Sequence, residues 1–291
     1  MRPLHLPPNW HHLHYDSVAS TMLCCNPEAV EPGEFVLITA DEQTAGRGQR
    51  GTSWESDKGL NLTFNIGWTP SISLKGGGLD HWPAANEQFL ISEISAIAVV
   101  RAIEDALSEA TSPPPMGGRW RGAIKWPNDI YIVPEKSHFR SNEPSPYGGK
   151  MEGDFKICGM LLEHQLSGKR ITASIAGIGI NVNQHVFRSD APNPVSLFQL
   201  LGHEVEREVV LESFIRHFSD GIALLQEGHY DEIEHTFTTL LYRRTGWHRY
   251  RDADGEFLGE FAGIARNGIL TLRKQDRSLH DYAFKEVEFV I

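Results

Sequence analysis

The chain contains 291 residues, of which 40% are hydrophobic and 22% are charged. These proportions are ordinary for a globular protein and exclude a disordered or fibrous chain, and the length fits one large domain with a small one. The formal net charge of -11 argues against a protein whose main activity is to wrap nucleic acid, because that activity requires a surplus of Lys and Arg.

The N-terminal segment, residues 1–15, predicts neither a membrane anchor nor a metal site. It is rich in Pro and His and contains no apolar stretch of signal-peptide length, and no later run approaches the roughly 20 apolar residues of a membrane span. His11, His12 and His14 have no nearby Glu or Cys, so we expect an ordinary polar segment. Three cysteines, two of them adjacent, are too few for a disulfide framework. We therefore expect a cytoplasmic protein.

The first half of the chain predicts strands followed by a long helix. The apolar run Phe35–Ala40 and the alternating run Leu60–Trp68 predict two strands. The polar, glycine-containing segment Asp41–Lys58 between them is too long for a tight hairpin and predicts a functional loop. Asn86 is expected to cap a helix that runs to about Ala110.

Three strand-like runs come next in the sequence. They cover residues 123–133, 155–164 and 171–182. Between the first two lies Pro134–Asp154, which is rich in Ser, Pro, Gly and charge and predicts an excursion on the surface.

The last third of the chain changes from helical to strand periodicity. Apolar residues at helical spacing predict a helix over Val209–Gln226 and a second helix that ends near Tyr242. From Gly246 onward, short alternating runs are divided by Asp254-Gly255 and Asn267-Gly268, which are strong hairpin signals. This pattern predicts a small all-β module.

The long loop contains a motif suited to an anion. In Gly46-Arg47-Gly48-Gln49-Arg50-Gly51, three glycines allow backbone amides to point inward, and two guanidinium groups reach the same place. Arginine suits phosphate because its donor fork binds oxygens in pairs and keeps its charge. The loop differs from the P-loop and dinucleotide patterns, and a solvated turn or an RNA-binding segment has the same composition.

A second motif places a lysine inside an apolar strand. In Lys125-Trp126-Pro127-Asn128-Asp129, the lysine is followed by a proline that cannot donate to a central ladder. Burying an ammonium group without an anionic partner is costly, and a substrate carboxylate or phosphate supplies that partner.

These motifs together resemble the catalytic domain of biotin protein ligases. Ser20-Thr21, Gln43 before the Gly-Arg loop and Trp54 after it resemble the N-terminal half of that domain, and Lys-Trp-Pro-Asn-Asp is the most specific signature of the family. The segments Lys156–Glu163 and Gly177–Asn183 resemble two further strands of the family. The matches appear in family order and cover most of the chain.

The chain departs from the family pattern in two places. Met22 follows Ser20-Thr21, where the family usually has Asn, and Pro134–Asp154 is longer than the expected connection. Ser20-Thr21 also fits an ordinary helix N-cap. Gly159 and Gly179 fit either a pocket wall or a bulge or tight packing point.

The resemblance implies a fold and an activity. The fold is α/β (α+β): a catalytic domain, residues 1–242, with a mixed β-sheet flanked by helices, and a small C-terminal SH3-like β domain, residues 243–291. The activity is ATP-dependent: biotin is activated as biotinyl-5'-AMP and transferred to a lysine of the biotin carboxyl carrier protein of a biotin-dependent carboxylase. ATP and biotin are substrates, and Mg²⁺ accompanies the phosphates.

The resemblance also implies roles for individual residues. Catalysis is assigned to Lys125, Arg47 and Arg50, and no residue is assigned to a metal. Biotin is expected to contact Ser20, Thr21, Gln43, Gly46, Arg47, Gly48, Trp54, Lys125 and Gly159. The nucleotide is expected to contact Arg50, Asn128, Lys156 and Asn181. Hydroxyls and a carboxamide suit the neutral ureido ring, which has two donors and one acceptor.

Three other functions fit the sequence less well. A lipoate ligase has an Arg-Arg loop followed by consecutive glycines and a Val-x-His-Asp element, neither of which the sequence contains. A repressor requires a DNA-binding domain, for which about 15 residues before the motifs are too few, so we expect no DNA partner. An inactive biotin-binding module is disfavoured because Arg47, Arg50 and Lys125 are present. The sequence leaves a homodimer open.

Overall fold

A computed structural model describes residues 1–46, 48, 54–70, 82–109, 119–134, 154–189 and 193–290. Within these residues, the predicted α/β fold is confirmed: a large mixed sheet, helices and a second, antiparallel sheet.

The large sheet contains β1 (Trp10–Tyr15), β2 (Phe35–Ala40), β3 (Leu62–Trp68), β4 (Trp120–Lys125), β5 (Asp129–Pro134), β6 (Phe155–Ser167) and β7 (Arg170–Ile180). The second sheet contains β8 (His248–Asp252), β9 (Gly255–Ile264), β10 (Leu270–Lys274), β11 (Leu279–Tyr282) and β12 (Glu288–Phe289). The helices are α1 (Thr21–Cys24), α2 (Phe89–Ser108), α3 (Leu197–Leu201), α4 (Arg207–Gln226) and α5 (Tyr230–Thr239).

The large sheet has a simple order with one parallel pair. Among the described residues, the strands follow each other as β1-β2-β3-β7-β6-β5-β4, with β1 and β2 parallel and every other pair antiparallel. Every residue of β2 and of β3 is buried. Both faces of this part of the sheet are therefore covered, which agrees with the apolar character of the two strands.

Side chains on the two faces of β3 point to different parts of the molecule. Phe64 packs on Phe214 of α4 with ring centroids 5.1 Å apart, and Trp68 packs on Phe218 at 5.6 Å. Phe214 and Phe218 are four residues apart and so share one face of the helix. Because side chains alternate along a strand, Asn65 points away from the helices. The functional site lies on that opposite face.

One strand prediction was wrong, and one strand was not predicted. The run 123–133 is a hairpin: β4 and β5 pair from Trp120–Pro134 to Lys125–Asp129, and the turn contains a cis peptide bond between Trp126 and Pro127. The turn was not predicted because it contains Pro-Asn without a glycine and lies inside an otherwise apolar run. The polar N-terminal segment forms β1, whose partner is the apolar β2. Most of its side chains are exposed or half-buried, so its composition resembles that of a loop.

The helix predictions were closer to the structure. Asn86 does not cap α2, because it lies inside a short 3₁₀ turn, Ala85–Glu87, and the N-cap position is Gln88. The final helix α5 ends at Thr239, a few residues before the predicted end. Most of Pro134–Asp154 lies outside the described residues.

The second sheet has the order β11-β10-β9-β8-β12 within the part of the chain that the structure describes. Gly255 and Gly268 take positive φ values of 122° and 87° at the predicted turns, which a residue without a Cβ adopts at no steric cost. The sheet is joined to the rest of the chain, since Trp126 Nε1 donates to Gly268 O at 3.0 Å. The domain boundary at residues 242 and 243 and the SH3-like topology stay predictions.

No helix in the described part of the chain is a candidate membrane span. None of them is both long enough and apolar enough to cross a bilayer.

We expect one buried carboxyl group, on α2, to make stability depend on pH. Glu93 is 4% exposed, and its Oε2 has no hydrogen-bond partner among the described residues. Burial, with a smaller contribution from Glu234, raises the pKa of Glu93 to about 8, although Arg266 opposes the shift. A raised carboxyl pKa contributes stability that is complete below its unfolded value and is lost as pH rises through about 8.

The Glu93→Gln variant should therefore gain stability relative to the wild type as pH rises. At pH 8 to 9 its free energy of unfolding should exceed that of the wild type by at least ~1 kcal/mol, and the difference should shrink or reverse near pH 5. Denaturant titrations at both pH values measure this. The exposed Glu109→Gln at the end of the same helix is the control, and parallel pH curves for Glu93→Gln and wild type would show that the burial argument is wrong.

Candidate active site

A cavity of about 1080 Å³ opens on the face of the large sheet opposite to α4. Its walls come from α1, the segment around Trp54, the ends of β3 to β7 and the last residues of the second sheet. Most of the site residues predicted from the sequence line this cavity: Ser20, Thr21, Gln43, Gly48, Trp54, Lys125, Asn128, Lys156, Gly159 and Asn181. The structure therefore brings together residues from segments that are far apart in the chain.

One end of the cavity is polar and uncharged. Thr21 donates to Gln43 Oε1 twice, from its backbone nitrogen at 2.8 Å and from its hydroxyl at 3.0 Å. The Thr21 hydroxyl also contacts Asn65 Oδ1. Ser20 occupies the N-cap position of α1, but its side chain forms no capping hydrogen bond. The capping alternative for Ser20 therefore lacks its defining contact.

Glycines in the neighbouring strands make room for an indole ring. A Cβ atom on Gly179 would lie 2.5 Å from the ring of Trp54, and a Cβ atom on Gly159 would lie 3.2 Å from it. The two glycines pair directly with each other in the β6–β7 ladder, without a bulge at that point. They are positions of close approach, and the group that approaches is the side chain of Trp54.

The opposite end of the cavity contains two lysines with different partners. Lys156 Nζ lies 2.7 Å from Asp129 Oδ1, whereas Lys125 forms no ion pair with any described residue. Lys125 Nζ instead donates to Tyr131 Oη at 3.0 Å and lies 5.6 Å from the ring centroid of Phe289. Lys125 is therefore a half-buried cation whose anionic partner does not come from these parts of the chain.

Burial is the main influence on the charge of Lys125. Burial lowers the pKa of the Lys125 ammonium group, Asp129 opposes that effect, and the positive charge of Lys156 adds to it. The charged form is thus maintained at a cost, and an anion bound beside it would reduce that cost. This end of the cavity is suited to a carboxylate or a phosphate.

The two predicted asparagines support the walls with their amide nitrogens. Asn128 Nδ2 donates to the carbonyl of Met160, and Asn181 Nδ2 donates to the carbonyl of Val195 at 3.1 Å. Asn181 Oδ1 is buried and has no partner among the described residues. Each side chain therefore holds neighbouring backbone in place at the cavity wall.

The Gly-Arg loop is described only in part. Gly46 accepts a hydrogen bond from the backbone nitrogen of Trp54 at 3.1 Å, and Gly48 lines the cavity. Arg47 and Arg50 lie outside the described residues. The loop thus enters and leaves beside the cavity, and anion binding by its two arginines stays a prediction.

Comparison with known proteins identifies the family. The model of the biotin/lipoate A/B protein ligase family matches residues 30–181, which is more than half of the chain. The chain belongs to this family. The predicted resemblance to biotin protein ligases is confirmed as well, since the similar proteins carry that name.

Two curated relatives illustrate the similarity. The bifunctional ligase/repressor BirA of Bacillus subtilis is 28% identical over 282 residues, which cover 91% of this chain and 70% of the relative. The biotin-(acetyl-CoA-carboxylase) ligase of Paracoccus denitrificans is 29% identical over 240 residues, which cover 81% of this chain and 83% of the relative.

Solved structures share the fold of this biotin/lipoate ligase family member. The biotin protein ligase of Aquifex aeolicus, in complex with biotin and ATP, matches 96% of this chain and 99% of its own with a TM-score of 0.64 and 20% identity. The Leishmania major enzyme in complex with biotinyl-5-AMP matches 95% of this chain and 99% of its own, with a TM-score of 0.54 and 21% identity. At this identity the likeness concerns the fold.

Several cavity residues were not predicted from the sequence. Asn65 and Phe289 are the most important of them, and the buried Tyr131, which accepts the hydrogen bond from Lys125, was not predicted either. A buried asparagine in an apolar strand was a usable signal for Asn65, and Tyr131 follows the Lys125 motif closely. Phe289 carries no local signal, because only the packing of the second sheet brings it to Lys125.

Asp129 should control the titration of Lys125. Since the Asp129 charge raises the pKa of Lys125, the Asp129→Asn variant should lower that pKa further. An NMR titration of the Lys125 side chain, assigned with Lys125→Arg, measures the shift. Asp276→Asn, in the β10–β11 turn, is the matched control. A Lys125 titration that stays in place or moves to higher pH in Asp129→Asn would contradict the assignment.

Proposed function

We propose that the chain is an ATP-dependent biotin protein ligase, which activates biotin as biotinyl-5'-AMP and transfers the biotinyl group to a lysine of a biotin carboxyl carrier protein. One observation carries the proposal: a single cavity has a neutral polar end at Thr21 and Gln43 and a cationic end at Lys125, which forms no ion pair with any described residue. Biotin has the same polarity, with a neutral ureido ring at one end and a carboxylate at the other. The names of the relatives support the same activity.

The neutral end fits the ureido ring by its hydrogen-bonding groups. A cyclic urea has two N–H donors and one carbonyl acceptor, which hydroxyls and carboxamides satisfy without a buried charge. Ser20, Thr21 and Asn65 are each no more than 3% exposed. A guest that left them unpaired would lose affinity, because buried polar groups without partners are costly.

The cationic end fits the first half-reaction. The biotin carboxylate attacks the α-phosphate of ATP, a bond from the carboxylate oxygen to phosphorus forms, and pyrophosphate leaves. Two anions must meet in this step, so their repulsion has to be offset by fixed positive charge. We assign this task to Lys125 and, from the Gly-Arg loop, to Arg47 and Arg50.

The donors around the cavity are also compatible with Mg²⁺. Asp129 and Glu288 both line the cavity and present carboxylate oxygens, which are the ligands that Mg²⁺ prefers. When bound with the nucleotide, Mg²⁺ would neutralise part of the phosphate charge. The Asp129 carboxylate is shared with Lys156, so it adds less negative charge to the site than an unpaired carboxylate would.

The second half-reaction needs access for a protein lysine. The amine of the carrier lysine attacks the acyl carbon of biotinyl-5'-AMP, an amide bond forms, AMP leaves and the amine proton passes to solvent. Closing the Gly-Arg loop over the adenylate would keep water from the same carbon. We place the partner surface at the mouth of the cavity near Phe284 and Lys285, which line it from the second sheet.

Transfer to an unmodified carrier domain tests the function. We expect ATP-dependent labelling with biotin, detected by avidin, and at least about 100-fold less labelling with lipoate at equal concentration. Preferential labelling with lipoate would move the chain to the lipoate branch of its family. Absence of labelling with either acid, by a protein that binds biotin, would reduce the function to binding.

Lys125→Ala should separate binding from chemistry. We expect measurable biotin binding, since the neutral end is intact, but a loss of about 10² to 10³ in the rate of biotin-dependent pyrophosphate exchange. Lys169→Ala, in the exposed turn between β6 and β7, is the matched control and should exchange at the wild-type rate. Near-normal exchange by Lys125→Ala would remove this lysine from the mechanism.

A further inference from the structure

The neutral end of the cavity contains a pair of side chains, Asn65 and Met22, that the family motifs do not explain. Asn65 is 2% exposed and lies on β3 directly opposite Gly177 on β7. Its Oδ1 contacts the hydroxyl of Thr21, and its Nδ2 contacts the sulfur of Met22. Met22 is also the residue at which the sequence departs from the family pattern. Met22, which departs from the family pattern, and Asn65, which was not predicted as a site residue, thus contact each other.

The hydrogen-bond donors at this place are outnumbered by acceptors. The Thr21 hydroxyl has one proton but faces two carbonyl oxygens, Gln43 Oε1 at 3.0 Å and Asn65 Oδ1. Gln43 Oε1 has a second donor, the backbone nitrogen of Thr21 at 2.8 Å, whereas Asn65 Oδ1 has only the shared hydroxyl among the described residues. A buried carbonyl that lacks a donor is costly, so Asn65 Oδ1 is poised to accept from an N–H group.

Met22 determines which way the Asn65 amide points. A thioether sulfur is a weak acceptor and has no proton to donate, so it pairs with the NH₂ group of Asn65 and not with its oxygen. An asparagine at position 22, as in the family pattern, would present both a donor and an acceptor and would allow either orientation. With Met22, the Asn65 oxygen is kept on the Thr21 side.

Gly177 on the neighbouring strand β7 leaves room for the contact between Asn65 and Met22. A Cβ atom at this position would lie 2.9 Å from Asn65 Nδ2 and 3.3 Å from Met22 Sδ. A side chain there would push the amide and the sulfur out of their present contact. The glycine thus preserves both the room and the orientation.

We propose that Asn65 is a substrate-positioning residue whose Oδ1 accepts a hydrogen bond from a ureido N–H of biotin, and that Met22 orients Asn65 for this contact. The proposal rests on the biotin ligase function and names the contact that adds specificity at the neutral end. It assigns Asn65 to binding and not to the chemical step, because the reacting carboxylate lies at the Lys125 end.

The Asn65→Ala variant tests the contact by its effect on each substrate. We expect the Kd of biotin, measured by calorimetry, to rise by about 10- to 100-fold. In pyrophosphate exchange, kcat at saturating biotin and KM for ATP should stay within about twofold of the wild type. A merely structural role would change both substrates or the melting temperature. A wild-type Kd for biotin in this variant would overturn the proposal.

Methylated biotins locate the hydrogen bond. Two analogues, each methylated on one ureido nitrogen, are titrated into wild type and into Asn65→Ala. For one analogue, the methyl group should weaken binding to the wild type at least 10-fold more than binding to the variant, since the variant has already lost the acceptor. If, for both analogues, the methyl group weakens binding to the wild type and to Asn65→Ala by the same factor, Asn65 does not accept the hydrogen bond from a ureido N–H.

Met22→Leu tests the orienting role without changing the size of the side chain greatly. We expect a rise in the biotin Kd of about 3- to 10-fold, smaller than that of Asn65→Ala, with kcat unchanged. Leu23→Ala, the exposed neighbour on α1, is the control. A Kd for biotin equal to that of the wild type in Met22→Leu would remove Met22 from the proposal.

The outcome for the wild type separates this proposal from the proposed function. If the wild type binds biotin but shows no biotin-dependent exchange, the ligase function fails, and the biotin Kd of Asn65→Ala still decides the contact. If the wild type exchanges normally but Asn65→Ala binds biotin as tightly as the wild type, only the contact fails.

Discussion

The feature on which the site depends is a cation, Lys125, held in the cavity wall without an ion-pair partner among the described residues. Lys125 lies at the end of β4, donates to Tyr131 and lies near Phe289, while Asp129, its cross-strand partner on β5, forms an ion pair with Lys156. Burial lowers the pKa of Lys125, so keeping the charge at this place reduces the stability of the folded protein. Such an arrangement is useful only if an anion arrives from outside, and the repulsion between two substrate anions is the obstacle that it offsets.

The fold explains how the two ends of the cavity are kept apart. The neutral end lies at α1 and β3, and the cationic end lies at the β4–β5 hairpin, across the sheet. Aromatic packing of α4 under β3 makes one face of the sheet rigid, which leaves the other face as a fixed platform for a substrate. The second sheet completes the cationic end with Phe289. A distance built into a sheet is more reproducible than one built into loops.

Much of the fold and of the site follows from local patterns. β2, β3 and α4 were predicted because apolar periodicity is a local property, and Thr21, Gln43 and Lys125 were found because the motifs that contain them are contiguous. What sequence reasoning missed depends on contacts between distant segments. β1 is a strand because β2 lies beside it, and its polar composition conceals this.

The same limit applies to individual side chains. The sequence left Gly159 and Gly179 open between a pocket wall and a bulge or tight packing point; the group that approaches both is Trp54, which no spacing rule identifies. Asn65 acquires its role only when Thr21 and Met22 are folded against it. Phe289 reaches Lys125 from more than half the chain away. Tertiary packing, and not local propensity, decides these cases.

The central claim is that Lys125 receives the charge of the substrate. The most direct measurement is an NMR titration of the Lys125 side chain with and without saturating biotin. Because a bound carboxylate favours the ammonium form, we expect biotin to raise the pKa of Lys125 from its lowered value. A pKa that biotin leaves unchanged or lowers would contradict the account.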